Sequence, residues 1–412
     1  MKIGLFGGAF DPIHNGHLSM IVGAIDAGID LVVVIPSARS AFKRGHSISA
    51  APYRYYMTET AINGLKPSYR DKVLLSDVEY KLPGISYTYN TINALIDDGI
   101  LEESLNKQAK NSIYNRYIKE QNEFFWICGS DILDSFDKWY KPGEILKRAK
   151  LMVANRPGDC DNEDFVQKSK SVSERFDTEI VFFKIKGLEA ASSDIRMNNN
   201  FDSVPSEVRK FIETHALYKD EHILDFCSES AVTAFYEYAI DLFFVLSSKR
   251  LLHTLNVAIY AAKLAKLHSA NTDKALIAGV LHDCAKELPI EVQHEYAVIK
   301  SGGLFDNEKL YHSPAGAYVA ENRYRIKDEE ILNAILYHTT GHGGMTDVEK
   351  IVFISDKLEP ARTYSDLTEM RAAALSNLNE AMKMVTEEIY EKFVARHQGI
   401  HPLTNAMMKD FL

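Results

Sequence analysis

The chain has 412 residues, 46% hydrophobic and 25% charged, a globular balance whose length points to two or three domains rather than to disorder. Its net charge of -10 argues against a protein that tracks the phosphate backbone of DNA or RNA, but leaves room for a small nucleotide in a locally basic pocket. The four cysteines, Cys128, Cys160, Cys227 and Cys284, form no C-x-x-C pair, which speaks against a zinc knuckle or a disulfide framework and suits a reducing compartment. The chain opens directly on an apolar strand without a basic leader, and no apolar run approaches the roughly 20 residues of a bilayer span. It reads as cytoplasmic, with neither membrane nor nucleic acid as a partner; the oligomeric state stays open.

Apolar runs then alternate with amphipathic stretches. KIGLF, LVVVIP, VLLSDVEY, FFWICGS, KLMVANRP and EIVFFKI read as strands, and HLSMIVGAIDAG, YRYYMTETAI, YTYNTINALIDDG and PGEILKRA as helices between them. This alternation predicts an α/β, Rossmann-like domain with a parallel sheet and ligands beyond the carboxyl ends of its strands. The polar segment between Glu103 and Glu123 reads as a helical excursion from that scheme. After VPSEVRKFIETHALYKDEHILDF the strand signal stops. From about Ala231 the chain reads as all-α, with breaks at Pro289, Gly302, Gly341 and Pro360. The expected domains are 1–220 and 231–412.

The first βα turn, GGAFDPIHNGH, spans residues 7 to 17. A strand, then Gly7 and Gly8, then a helix starting near His14 and His17 is a layout in which backbone N–H groups and the helix dipole meet a phosphate. The glycines remove Cβ atoms so that backbone can approach a ligand, and the histidines, one turn apart, share a face. Adenylyl transfer asks the protein for in-line positioning and positive charge, which imidazoles, a lysine and an arginine supply.

This turn resembles the T/HxGH signature of the nucleotidyltransferases. Together with SYTYNTI, WICGSD, KWYKPG, NRPG, SSDIR and the tail VPSEVRKFIETHALY, it makes residues 1 to about 218 resemble bacterial nicotinate-mononucleotide adenylyltransferases. Phosphopantetheine adenylyltransferases share the first motif but lack the KW and RPG segments. The resemblance implies ATP and nicotinate mononucleotide as substrates, with Mg²⁺. It places His14 and His17 on the ATP phosphates, with Ser193 and Arg196 holding the triphosphate and Asp131 taking a ribose hydroxyl. It stacks Trp139 on the nicotinate ring and brings Thr88 and the backbone near Tyr140 to its carboxylate. Gly7, Gly8, Phe10, Lys43, Gly129 and Arg156 complete the implied nucleotide-binding set. Asp131 also reads as a helix cap. The chain departs from the family at Ala191, where a further serine is usual, and at Phe42, where a histidine usually precedes the lysine at Lys43.

In the helical half, His253, His282, Asp283, His312, His338 and Asp356 each lie in an apolar stretch, a costly place for an unpartnered polar group. A set of imidazoles and carboxylates with no thiolate suits a hard to borderline divalent metal pair, which could share Asp283 and activate water for attack on phosphorus.

The pattern H…HD…H…H…D resembles the HD-domain phosphohydrolases. The surrounding HTLNVAIYAAKLA, LIAGVLHDCAKELP, KLYHSPAGAYVAEN, YHTTG and SDKLEPAR resemble the YqeK-like symmetrical diadenosine tetraphosphate hydrolases. That resemblance implies two divalent transition-metal ions, iron in this group, and cleavage of diadenosine tetraphosphate to two ADP. Lys286 and Arg362 fit phosphate contacts and equally fit solvated helix-end charges. His342 reads as a loop residue, and His268, His294, His397 and His401 receive no role. Two alternatives stay open for this half: a nucleotide-sensing module with a non-catalytic metal, and a phosphohydrolase for another nucleotide, since HD sites look alike across substrates.

Overall fold

A computed structural model describes residues 1–39, 48–107, 111–155, 163–185, 191–219, 223–397 and 399–412. The chain divides into two compact units, Met1–Phe211 and Ile212–Leu412.

The first unit is built on a six-stranded sheet of β1 (Lys2–Gly8), β2 (Leu31–Pro36), β3 (Val73–Leu75), β4 (Glu123–Cys128), β5 (Lys150–Asn155) and β6 (Ile180–Lys184), in the order β3-β2-β1-β4-β5-β6. Every neighbouring pair is parallel. All six residues of β2 are buried, as expected of a strand covered on both faces. Strand order reverses between β1 and β4, so the crevice beyond their carboxyl ends is the place where a doubly wound sheet binds its ligand. Among the described residues, the polar excursion is two helices, Ile100–Lys107 and Asn111–Lys119. Leu101 and Leu105 join the core beneath the sheet, with Ile113, Tyr114 and Tyr117 packed against it.

One expected strand is shorter than its pattern. In VLLSDVEY the ladder ends at Ser76, whose N–H donates to the Val34 carbonyl. The Ser76 hydroxyl then accepts from the Val78 N–H, and Val78–Lys81 closes into a turn of helix that turns Glu79 inward. Local apolar alternation cannot distinguish this turn from a continued strand.

The second unit is helical throughout its described residues, from Glu229–Leu242 to Pro402–Phe411. Local chemistry sets several helix starts: the Asn271 side chain accepts from the Lys274 N–H, Asp328 accepts from the N–H groups of Glu330 and Ile331, and Thr346 and Glu349 form a reciprocal capping box. Helix Ile290–Ser301 stops at Gly302 in the left-handed region, φ 62°. Helix Ser248–Leu267 runs through the middle, burying residues such as Leu255, Val257, Ala261 and Leu264. Helix Thr272–Leu281 crosses it closely at Gly279, where a Cβ would lie 2.7 Å from the Ala258 Cα. That approach brings His253 on one helix toward His282 at the end of the other. No helix among the described residues is long and apolar enough to cross a membrane.

Candidate nucleotide site and candidate metal centre

In the first unit, His14 is the residue before helix Asn15–Asp26, and its N–H donates to His17 Nδ1 at 3.2 Å. The two rings stack with centroids 3.7 Å apart. His14 is buried, its Nδ1 has no hydrogen-bond partner, and burial pulls its imidazole down to about 4. A buried polar nitrogen at a helix N-terminus is an expensive arrangement that an anionic ligand relieves.

The glycines before it make room for protein. A Cβ on Gly7 would lie 2.7 Å from the Trp126 ring, and one on Gly8 would lie 2.9 Å from Phe10. Phe10 adopts φ 48° and is itself buried, edge-on to His17. Gly129 and Asp131 follow β4, across the switch point. Gly129 leaves space for the Asp131 carboxylate, whose Oδ1 would be 2.6 Å from a Cβ there, and Asp131 is exposed in the first turn of a short 3-10 helix.

Helix Ser192–Asn198 docks on the same turn. The Ser192 hydroxyl donates to the Pro12 carbonyl at 3.0 Å, and the Arg196 guanidinium donates to the Asp11 carbonyl and lies 3.5 Å from its carboxylate. Ser193 is half-buried in the first turn of that helix. Arg196 is therefore fixed by the turn after β1, and is no free surface charge.

Trp139 packs half-buried against the core, edge-on to Trp126 with centroids 6.2 Å apart. Tyr140 meets Tyr87 at 4.9 Å and Tyr89 at 5.9 Å, which flank Thr88 at the start of helix Thr88–Ile96, and the Lys141 ammonium lies 4.4 Å from the Tyr89 ring centre. Thr88 and the 139–141 stretch, distant in sequence, are thus brought together. Lys43 and Arg156 lie outside the described residues.

In the second unit all six candidate ligands converge. His253, His282 and Asp283 can each offer a ligand atom within 4.8 Å of the others, as can Asp283, His312 and His338, so Asp283 is common to both groups. Asp356 joins through its Oδ1, 3.0 Å from His253 Nε2 and 3.8 Å from His282 Nε2. His282 and His338 end their helices, where last-turn carbonyls are free. Their Nδ1 atoms lie 2.7 Å from the Gly279 and Ile335 carbonyls. Those acceptors place the protons on Nδ1 and leave the Nε2 lone pairs facing Asp283, as metal-bound imidazoles require. His282 Nε2 is buried without a hydrogen-bond partner. The donor set therefore fits divalent cations.

Burial pulls His282 down to about 4 and His312 well below the usual histidine range. Burial alone would raise the Asp283 and Asp356 carboxyls. For Asp283 the His282, His338 and His312 rings outweigh it, and for Asp356 Lys357 and His253 do; both carboxyls are held well below their ordinary values. This favours carboxylates at Asp283 and Asp356 and neutral rings at His282 and His312, as metal ligation requires. His253 differs, because although burial lowers it the neighbouring Asp356 and Glu359 carboxylates push it up. Cations ring the cluster: Arg250 lies 2.8 Å from Asp283, Lys286 2.8 Å from His312, and Arg362 3.0 Å from Asp356. Lys286 and Arg362 are therefore within the site and not merely solvated ends. Thr339 lies 3.2 Å from both His312 and His338. His342 stays off the cluster, 3.2 Å from Glu349.

Several residues of these sites are not singled out by sequence reasoning. Asp11, Arg54 and Glu79 in the first unit meet their partners across tens of residues, and no local pattern marks them. Arg250 was within reach, since it stands one helical turn before His253 in SKRLLH. Glu359, beside the noted Pro360, accepts from His253 at 3.1 Å.

Comparison with known proteins places both halves. Residues 5–198 match the cytidylyltransferase-like family and residues 250–361 the HD domain. A protein of Mycoplasma genitalium named "Probable nicotinate-nucleotide adenylyltransferase/Ap4A hydrolase" is 26% identical over 92% of this chain and 95% of its own. A Clostridium tetani "Probable nicotinate-nucleotide adenylyltransferase" is 32% identical over 53% of this chain and 99% of its own. A Bacillus subtilis "Bis(5'-nucleosyl)-tetraphosphatase, symmetrical" is 35% identical over 39% of this chain and 87% of its own.

Proposed function

We propose a bifunctional enzyme, on the premise that the chain belongs to the nicotinate-nucleotide adenylyltransferase family over its first half and to the symmetrical bis(5'-nucleosyl)-tetraphosphatase family over its second. The first half joins ATP and nicotinate mononucleotide into deamido-NAD and releases pyrophosphate. The second half hydrolyses diadenosine tetraphosphate to two ADP. A relative bearing both names along nearly its whole length supports the pairing in one polypeptide.

In the first half, the mononucleotide phosphate attacks the ATP α-phosphorus as the bond to pyrophosphate breaks. His14 and His17 meet the polyphosphate at the helix N-terminus, where added negative charge is stabilised by the peptide dipoles and the imidazoles. Arg196, tethered to Asp11, and Ser193 hold its far end. Asp131 accepts from a ribose hydroxyl, and Trp139, with Thr88 and Tyr140, receives the nicotinate. Mg²⁺ enters on the polyphosphate as part of the substrate. Lys43 and Arg156 are assigned to the same site by resemblance alone.

In the second half, His253, His282, Asp283, His312, His338 and Asp356 would hold two divalent transition-metal ions, with iron the metal implied by resemblance. When bound, such ions supply Lewis acidity and lower the pKa of water for attack on phosphorus. Arg250, Lys286 and Arg362 balance the charge of the polyphosphate around them. The observation that carries this reading is the double Nδ1 anchoring of His282 and His338, which turns both lone pairs onto the shared Asp283.

The test is a substrate panel on the purified full chain. Nicotinate mononucleotide is expected to exceed its amide analogue by about two orders of magnitude in kcat/KM, the scale of a lost buried carboxylate contact. Diadenosine tetraphosphate is expected to give ADP as its only nucleotide product. Equal use of acid and amide would overturn the first assignment, and AMP plus ATP the second. Metal bound without turnover of any dinucleoside polyphosphate would favour a sensing module.

A further inference from the structure

His282 and His338 take their orienting acceptors from carbonyls left free at helix ends. His253 has no such source. It sits inside the 20-residue helix Ser248–Leu267, where the backbone carbonyls are already used by the helix. Its Nδ1 instead meets the Glu359 carboxylate, 3.1 Å from Oε1. Glu359 follows helix Asp347–Leu358, one turn beyond Asp356, and is only 2% exposed. Its other oxygen accepts from the Ala361 N–H at 2.7 Å and from the Asn256 amide at 2.9 Å. The same Asn256 nitrogen lies 3.0 Å from His215 Nδ1. His215 comes from the tail motif THALY, which the sequence resemblance gave to the adenylyltransferase half, yet the residue belongs to the second compact unit.

We propose that Glu359 is the positioning residue for His253, and that Asn256 and His215 hold Glu359 in turn, forming a buried chain His215–Asn256–Glu359–His253 that presets one arm of the metal centre. Accepting the Nδ1 proton fixes the His253 tautomer and leaves Nε2 facing Asp356, its partner 3.0 Å away. The Asn256 amide donates one proton to Glu359, and its other end is held by His215, whose Nδ1 lies 3.0 Å from the amide nitrogen and 3.3 Å from the amide oxygen; this pins the carboxylate's rotation. Burying Glu359 beside a ligand would otherwise be costly; here both of its oxygens are satisfied.

This inference rests on the six-residue cluster being a metal site. The test is a Co²⁺ titration of the chelator-stripped full chain, followed by visible ligand-field absorption, with circular dichroism to establish that each variant is folded. Wild type is expected to bind two ions. Glu359→Ala is expected to weaken one of them by about 10- to 100-fold, the usual effect of removing a ligand's hydrogen-bond partner. Glu359→Gln keeps an acceptor for Nδ1 and is expected to recover most of that affinity. His215→Ala leaves every carboxylate in place, and is expected to weaken the same ion by a smaller factor while shifting the absorption band. A purely structural Glu359 would lower stability without changing affinity or spectrum in the folded variants, which overturns the proposal, as does Glu359→Gln behaving like Glu359→Ala. Unchanged affinity and spectrum in His215→Ala overturn the chain beyond Glu359. Should Glu359→Ala fail to fold, Glu359→Gln and His215→Ala decide, since both retain the buried packing more closely. No Co²⁺ uptake by wild type would instead defeat the metal-site reading itself.

Discussion

His14 shows at the scale of one residue how the first site is poised. Burial holds its imidazole down, from the ordinary 6.5 to about 4, so between those values the unfolded chain binds a proton that the folded chain does not. The stabilising contribution is whole above about 6.5 and is lost as pH falls toward 4. Between pH 7.5 and pH 5 the first unit is expected to lose about 2 kcal/mol through this residue alone. Urea unfolding of wild type and His14→Asn checks it, followed by tryptophan fluorescence, because both tryptophans, Trp126 and Trp139, lie in that unit. An equal loss in both proteins would show that His14 is not held neutral. The two histidines were legible in GGAFDPIHNGH because their spacing has no use in an ordinary turn. The destination of the glycine space was not: Gly7 abuts Trp126, more than a hundred residues away, and only the folded sheet brings them together.

Between elements, a buried arginine ties the loops of the first site. Arg54, 1% exposed in helix Ala51–Asn63, donates to the carbonyls of Ala9, Ala38 and Ser49 and to the Ser37 hydroxyl. It thereby fastens the turn after β1 to the end of β2. Nearby Glu79 accepts from the Ala38 N–H and the Thr91 hydroxyl; burial pushes its carboxyl up, opposed by those bonds and by the Arg54 charge. Arg54→Met would leave these acceptors unpaired and Glu79 without its cation. A destabilisation of roughly 3–5 kcal/mol is expected, read as a lower urea midpoint, together with loss of adenylyl transfer in the protein that remains folded. A midpoint within error of wild type would mean that the loops hold themselves. Neither residue was readable beforehand. Arg54 sits unremarked in PYRYYM, and Glu79 lies in the segment whose alternation imitates a strand. Element type was legible wherever a long periodic run dictated it, as in LVVVIP or the helix around His253. It failed where one hydrogen bond, Ser76 to Val78, diverted the chain.

For the whole molecule, two chemistries share one chain, and each unit has its own core. The first gathers Leu5, Val33, Trp126 and Leu151 around the sheet; the second gathers Ala261, Leu264, Phe353 and Met382 between helices. The six candidate ligands of the second unit were legible because histidines and aspartates in apolar helices demand a partner, and the motifs kept their order. Their support was not, because Arg250, Asn256 and Glu359 look like ordinary helix residues until the fold assembles them. Groups with separate cores and no shared partners are expected to respond independently to substitution.

The most direct test of this account is to run both assays, adenylyl transfer from ATP to nicotinate mononucleotide and ADP release from diadenosine tetraphosphate, on His17→Ala and Asp283→Ala, each verified as folded by circular dichroism. His17→Ala is expected to depress the transfer by about 10² or more, as for other preorganised donors, and to leave hydrolysis near wild type. Asp283→Ala is expected to lose metal and hydrolysis together, and to leave the transfer near wild type. Loss of adenylyl transfer in a folded Asp283→Ala protein would contradict two independent catalytic sites and make the helical half a regulator of the first.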